Sequence, residues 1–349
     1  MDISGQGLET LYFYNKACNL RCRHCWIEPG FNSAGPGALT LHEVEDLISQ
    51  GKKLGLQAVK LLGGEPLMLP YIRELIDFLI EERIGIMIET NGTLIDDAIA
   101  RQLKGADPFV SISLDGSNRK IHSILRGNPE SFDQAVAGVR KLVSNGIRPQ
   151  IIFCLHAGNR HDLEDTIKAA QDLGASSIKI NFITSMGRAR DIASERITVS
   201  EFIQLYRLYE TRSYDGIKVQ FDIPPAFQSV TSLVKGDNLG TCGIKGIIGV
   251  LSNGDISICG IGNIKKDLLL GNARSHSLES IWKHNEILGM IRTSVPEGLG
   301  GVCRRCMFKT SCMGRCIANT YYETGSLFGG DRFCTEAYEL GLFPASRLL

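Results

Sequence analysis

Ten of the chain's eleven cysteines fall into two groups, and the first group has the spacing of a reactive site. Cys18, Cys22 and Cys25 lie in the run KACNLRCRHCW, three thiols on one short loop. Thiolates spaced in this way are ligands for a [4Fe–4S] cluster, which four of them would close. With no fourth cysteine nearby, one iron is left without a protein ligand and is free to bind and react. A structural zinc loop is the alternative reading, with His24 as the fourth donor. Coordinated thiols need reducing conditions, so the pattern indicates the cytoplasm and not a disulfide framework.

The second group holds Cys242, Cys259, Cys303, Cys306, Cys312, Cys316 and Cys334. One zinc site with four ligands would leave three of these over, which suits two iron–sulfur clusters better. Cys154, the eleventh, falls in an apolar strand and reads as a buried thiol.

These loops need a scaffold to hold them. Candidate strands are Leu8–Asn15, Ala58–Leu62, Ile86–Glu89, Phe109–Leu114, Gln150–Leu155 and Ser177–Phe182, separated by helix-length amphipathic stretches. Thr40 with Glu43, and Thr198 with Glu201, have the form of capping boxes, and Ser131 with Gln134 opens a helix in the same manner. Six strand–helix units predict an α/β chain, a parallel sheet curled into a partial (β/α)6 TIM-like barrel. After Ile217–Ile223 the pattern breaks. Asn253-Gly254 then marks a hairpin, Ser277–Ile291 reads as helical, and Cys303–Cys334 as a knot of loops. The domains expected are 1–225, the barrel, and 226–349, a small cysteine-rich unit, with the boundary between Ile223 and Thr241. Lys+Arg and Asp+Glu are equal at 38 each, and no basic stretch suggests nucleic acid. Apolar runs such as Ile244–Leu251 are too short to span a membrane, and no signal peptide is evident.

The first cysteines follow the first strand directly, on the rim where parallel barrels build active sites. After the second strand comes Gly63-Gly64-Glu65-Pro66. Its glycines permit close backbone approach to a ligand and its carboxylate can accept from an ammonium, although a Gly-Gly pair alone is often just a turn.

Together, C-x-x-x-C-x-x-C and GGEP resemble the radical S-adenosylmethionine (SAM) superfamily. The resemblance implies that the unique iron chelates the amino and carboxylate groups of SAM. An electron from the cluster then cleaves the sulfonium, and a 5′-deoxyadenosyl radical takes a hydrogen atom from substrate. Cys18, Cys22 and Cys25 would be the catalytic cluster ligands. GGEP (Gly63, Gly64, Glu65, Pro66) would bind the SAM amino group, Ser113 and Arg126 its ribose and carboxylate, and His24 would lie near the adenine. Thr90 and Asn91 on the third rim, Asp115 on the fourth, and Asn181 opening the segment Asn181–Arg190 complete the cofactor-binding set.

The second group is similar to the SPASM domain, a C-terminal extension with up to two auxiliary iron–sulfur clusters. By that family's connectivity Cys303, Cys306, Cys312 and Cys334 close one cluster. Cys242, Cys259 and Cys316 hold the other, which has an open or non-cysteine fourth ligand because Val234–Thr241 contains no cysteine. Gly260 stands where the sulfatase-maturing branch carries a proton-accepting aspartate.

SPASM enzymes of this kind imply a ribosomally made precursor peptide as substrate, to be cross-linked or rearranged. Splicease-type excision of a tyrosine-derived unit, suggested by LYFYNKACNLRCRHCW, and sulfatase-maturase-like side-chain oxidation are the alternatives. Only 17 residues precede Cys18, which leaves no room there for a peptide-recognition domain. Either a separate protein delivers the peptide or the barrel and SPASM surface bind it directly. A flavodoxin or ferredoxin would supply electrons.

Overall fold

The computed structural model describes residues 7–33, 35–234 and 242–349. Seven parallel strands stand in chain order: β1 (Thr10–Asn15), β2 (Ala58–Gly63), β3 (Gly85–Thr90), β4 (Phe109–Ser113), β5 (Gln150–Leu155), β6 (Ser177–Phe182) and β7 (Lys218–Phe221). This is one strand more than the six units predicted. β7 is only four residues long, KVQF, so it carries little periodic signal of its own.

The chain after β7 does not form a separate sheet. β8 (Ile247–Leu251) pairs parallel with the free side of β1, placing Thr10 opposite Ile247 and Tyr14 opposite Leu251. The hairpin at Asn253-Gly254 then turns β8 into β9 (Asp255–Ser257), and β10 (Leu269–Asn272) pairs antiparallel with β9. Gly254 has φ +87°, a conformation open to glycine at little cost. The expected boundary between 223 and 241 runs partly through 235–241, outside the described residues, and so does most of the cysteine-free stretch Val234–Thr241.

Parallel strands in register share a face. On one face lie Leu11, Phe13, Val59, Leu61, Ile88, Ile112, Ile151, Phe153, Ile178 and Ile180, all buried against the helices. The opposite face, set by the pairs Glu89–Ser111, Ser111–Gln150 and Cys154–Asn181, is polar and looks into the lumen. The strand alternation therefore separates a hydrophobic layer from a chemical one.

Helix Leu41–Lys53 begins at Thr40, whose Oγ1 accepts from the Glu43 amide at 3.3 Å while the Glu43 carboxylate accepts from the Thr40 amide at 2.8 Å. Helix Val199–Tyr209 repeats the device with Thr198 and Glu201. The box predicted at Ser131 and Gln134 is absent. Helix Glu130–Ser144 starts earlier, with the Glu130 amide donating to Asn128 Oδ1 at 3.0 Å, and Ser131 is buried against His122. The span Ser277–Ile291 is two helices, Leu278–His284 and Glu286–Ser294, broken at Asn285, which caps the second. The predicted knot of loops contains helix Ile317–Thr324, after Cys316, and the start of helix Arg332–Glu339, which carries Cys334.

Candidate active site

The cluster loop is tied to the next rim by backbone contacts that only small residues allow. The Gly64 amide donates to Asn15 O at 2.6 Å and the Glu65 amide to Ala17 O at 2.7 Å. Asn15 Nδ2 donates to Glu65 O at 2.6 Å, crossing back over the same junction. A methyl group at Gly64 would lie 2.7 Å from the Ala17 carbonyl carbon and 3.2 Å from Cys18 Cβ, so GG is required to seat the first cysteine.

Glu65 is fully buried and turned away from the lumen. Its Oε1 accepts from Thr90 Oγ1 at 2.6 Å and from the Leu67 amide at 3.1 Å, and its Oε2 accepts from the Asn91 amide at 2.8 Å. Burial pushes its carboxyl up to about 6, against the pull of those donors. Glu65 therefore clamps the rims of β2 and β3 together. Neither it nor Pro66, which opens the turn Pro66–Met68, is part of the pocket wall.

Asp115 is held in a similar way. It is fully buried, accepts from Arg126 Nε at 2.6 Å and from the Cys154 amide at 2.8 Å, and is absent from the pocket wall. Burial raises its pKa, yet the Arg126 guanidinium with His24 and His122 holds it below the ordinary carboxylate value. Held in this way, Arg126 places Nη1 3.6 Å from Cys22 Sγ. A cation beside a thiolate favours the charged form that metal ligation needs. Burial still raises the Cys22 thiol overall, and it pushes Cys18 up to about 12. Their protons leave when a metal takes the sulfur.

A pocket of about 220 Å³ brings Cys18, Cys22 and Cys25 together with His24, Gly63 and Gly64. Thr90, Asn91, Ser113, Arg126 and Asn181 share its wall. The wall also includes residues outside the predicted set, among them Glu89, Cys154 and Arg188. Cys154 is half-buried and faces the lumen beside Asn181, so the reading of a core thiol is corrected. The signal was the strand's alternation, which puts Cys154 on the polar face. Arg188 donates from Nε to Cys22 O at 2.9 Å and from its backbone amide to Cys25 O at 3.0 Å, clasping the loop from the β6 side.

The residues fit a cluster that carries a nucleoside ligand. His24 Nδ1 and Asn181 Oδ1 are buried without partners, and both residues line this pocket. Burial and the nearby Arg126 charge lower His24 to about 3, so the ring is neutral. Among the described residues no three His, Cys, Asp or Glu side chains converge as one ion requires, so the thiols surround a space and not a point.

The second group divides as well. Cys303, Cys306, Cys312 and Cys334 line a single small cavity. Asp331 donates its amide to Cys303 Sγ at 3.3 Å there. Cys242, Cys259 and Cys316 are neighbours: burial pushes Cys242 up to about 12, with Cys316 next among the causes, and Cys259 is raised by burial, Cys316 and Cys242. Cys316 Sγ accepts from the Asn319 amide at 3.4 Å. Beside Cys259, the space a side chain at Gly260 would need is filled by the Tyr14 ring, with Trp26 2.8 Å away.

Residues 12–170 match the model of the radical SAM superfamily, and residues 242–307 match that of the SPASM iron–sulfur cluster-binding domain. The chain is a radical SAM protein with a SPASM domain. As such it is an enzyme that binds SAM and a [4Fe–4S] cluster, with auxiliary clusters in the SPASM part. This radical SAM/SPASM protein is 28% identical over 334 residues to the AdoMet-dependent heme synthase of Methanosarcina barkeri, covering 91% of this chain and 93% of that one. It is 28% identical over 329 residues to mycofactocin maturase MftC of Mycobacterium tuberculosis, covering 92% and 81%. In fold it resembles SuiB of Streptococcus suis bound to S-adenosylmethionine, with a TM-score of 0.74 at 19% identity over 94% of this chain and 77% of SuiB. SuiB bound to its precursor peptide SuiA gives 0.72 at the same identity, over 94% of this chain and 76% of SuiB. No helix among the described residues is long and apolar enough to cross a membrane.

Proposed function

We propose that this enzyme modifies a ribosomally made precursor peptide, cross-linking or rearranging it by hydrogen abstraction. The observation that carries the reading is the pairing of β8 with β1, which sets the Cys259 hairpin beside the strand that launches Cys18. A substrate residue between them meets both cysteine groups. The similarity to MftC and to the peptide-bound SuiB supports a peptide as that substrate.

When bound, the cluster and SAM supply reductive cleavage of the sulfonium and removal of a hydrogen atom. The chain's own residues do the rest. Cys18, Cys22 and Cys25 hold the cluster, and Gly63 and Gly64 bare their backbone for the SAM amino group. Ser113 and Asn181 offer polar atoms from the lumen face. Arg126, fixed by Asp115, sets a positive charge beside Cys22 and toward a carboxylate. Trp26 and Tyr14 pack as an edge-to-face pair, ring centroids 6.4 Å apart, and exclude water between the two sites. The SPASM thiols would hold the auxiliary clusters in the two sets described, in a domain spanning 226–349 that follows the barrel of 1–225. A flavodoxin- or ferredoxin-like donor, a reducing cytoplasm and a separate peptide-recognition protein complete the proposal.

The similarity to heme synthases over nearly their whole length supports a second reading, in which the product is heme. Anaerobic reconstitution should give about twelve irons per chain, three cubanes, and dithionite with SAM should yield 5′-deoxyadenosine. A mass change in a co-expressed neighbouring small peptide supports the peptide reading. Heme formation with no modified peptide replaces it.

A further inference from the structure

The loop that carries Cys18, Cys22 and Cys25 has an outer face as well as an inner one. Cys22 is buried, yet its neighbours Arg21 and Arg23 are exposed, so a single layer of chain separates the cluster thiols from the surface. Ala17–Cys18 pairs in parallel with Gly30–Phe31, which places Cys18 opposite Phe31, and the Asn32 amide donates to Cys18 O at 2.8 Å. Phe31 is 45% exposed, with the Arg21 guanidinium 4.4 Å from its ring centroid. Glu28 and Asn32, on either side of it, have φ of +55° and +50°. The chain thus accepts left-handed backbone without glycine around an aromatic ring turned to solvent. Leu94, 39% exposed, stands on the next rim, which Asn19 Nδ2 ties to the cluster loop by donating to Thr93 Oγ1 at 2.8 Å.

This face is positive after its own carboxylates are counted. The loop 16–33 and the segment Gly187–Glu195 that clasps it carry five Lys or Arg and three Asp or Glu. Glu195 holds Arg23, while Glu28 and Asp191 lie 3.9 and 3.6 Å from Arg190. Arg188 is turned to the Cys22 carbonyl. Lys16 and Arg21 are exposed and form no ion pair among the described residues. An exposed aromatic ring beside two uncompensated cations fits an acidic protein surface.

The position selects the kind of protein. A peptide to be modified must reach the lumen, on the inner side of the thiols. An electron bound for the cluster has only to cross the loop.

We propose that an acidic one-electron carrier protein docks on Lys16, Arg21 and Phe31 and delivers its electron through the cluster loop. The proposal rests on the donor reading above and fixes where that donor binds. The carrier is oxidised by one electron, the cluster held by Cys18, Cys22 and Cys25 is reduced by one, and no proton or bond moves. The test uses the reconstituted full-length enzyme and a purified acidic flavodoxin, with dithionite as a reductant too small to need a docking surface. Anisotropy of labelled, oxidised flavodoxin reads binding, and stopped-flow absorbance reads reduction of the enzyme by flavodoxin hydroquinone. Binding should weaken about tenfold between roughly 20 and 200 mM salt. Lys16→Glu combined with Arg21→Glu should lower affinity and reduction rate by about tenfold or more, at unchanged iron content and unchanged reduction by dithionite. Arg21→Gln, a milder change to the loop, should show part of the effect. Arg304→Glu combined with Arg305→Glu, on the exposed face beside Cys306, should leave both readings as in wild type. Unchanged affinity and rate in the Lys16 and Arg21 variant, or a loss in the Arg304 and Arg305 variant instead, would overturn the proposal. Reduction by flavodoxin that ignores the charge reversal sinks the docking site alone. An enzyme that dithionite reduces, and that neither flavodoxin nor ferredoxin reduces, sinks the donor reading with it.

Discussion

Arg315 donates from Nη2 to both the backbone carbonyl and the carboxylate of Asp222, at 2.7 and 2.8 Å, and so bolts the SPASM cysteine region to the end of β7. Arg315 is buried and Asp222 half-buried, and Arg315 sits between Cys312 and Cys316, one from each auxiliary set. Lys179, 3.6 Å from Asp222, is the only other cation within ion-pair reach among the described residues.

Replacing Arg315 with Leu strips the buried Asp331 of its cation, 3.8 Å away, and leaves the half-buried Asp222 to Lys179. A buried carboxylate stripped of its partner costs about 3–5 kcal/mol. Chemical denaturation of the reconstituted enzyme should show a loss of that order. A change under about 1 kcal/mol would mean that water reaches Asp331.

Asp115→Asn should act on Arg126 more than on the fold's outline. The guanidinium loses its counter-charge but keeps a neutral acceptor, so SAM affinity should fall about ten- to a hundredfold as Arg126 drifts from Cys22. Equilibrium binding of SAM by the variant, against wild type, measures this. Unchanged affinity would place Arg126 outside the SAM site.

Gly260→Asp, which restores the acidic residue of the sulfatase-maturing branch, should fail because the Tyr14 ring occupies the space. Overpacking of this kind costs about 1–3 kcal/mol. Adding Tyr14→Ala should recover part of the loss, a coupling visible in a double-mutant cycle of melting temperatures. Strict additivity would contradict the contact.

Glu65 gives the fold a pH dependence. Burial raises its pKa from an ordinary 4.5 to about 6, so the folded state prefers the protonated acid. Its contribution is whole below about 4.5 and is lost as pH rises through about 6, a change of about 2 kcal/mol. Denaturation curves between these values should show the decline in wild type and a flatter profile in Glu65→Gln. Parallel profiles would assign the slope to other groups.

Cys22→Ala should abolish SAM cleavage, whereas Cys306→Ala should spare some cleavage and stop modification of substrate. Electron paramagnetic resonance of the reduced Cys306→Ala protein should keep the signal of the SAM-binding cluster. Normal processing by that variant would reduce the cavity of Cys303, Cys306, Cys312 and Cys334 to a structural role.

Much of this was legible in one dimension because spacing encodes it. Strands β1–β6 announced themselves through β-rich runs, and the cysteine groups through intervals that a cluster can span. What escaped depends on distance in space. The bonds turning Glu65 and Asp115 inward come from Thr90, Asn91 and Arg126, 11 to 26 residues away. Cys154 was misjudged because an apolar strand hides which face each residue takes until its neighbours fix the register. Ser131 had the right letters for a cap, but Asn128 reached the free amide first.

The partnership of Thr10 with Ile247 spans 237 residues. On the ribosome, at about 5–20 residues per second, β1 would emerge roughly 12–47 s before β8 can cover its outer edge. A bare strand edge is a template for intermolecular sheets during that wait. Truncations that remove everything from Ile247 onward would make the exposure permanent, and their first symptom would be inclusion bodies and not a soluble, inactive barrel.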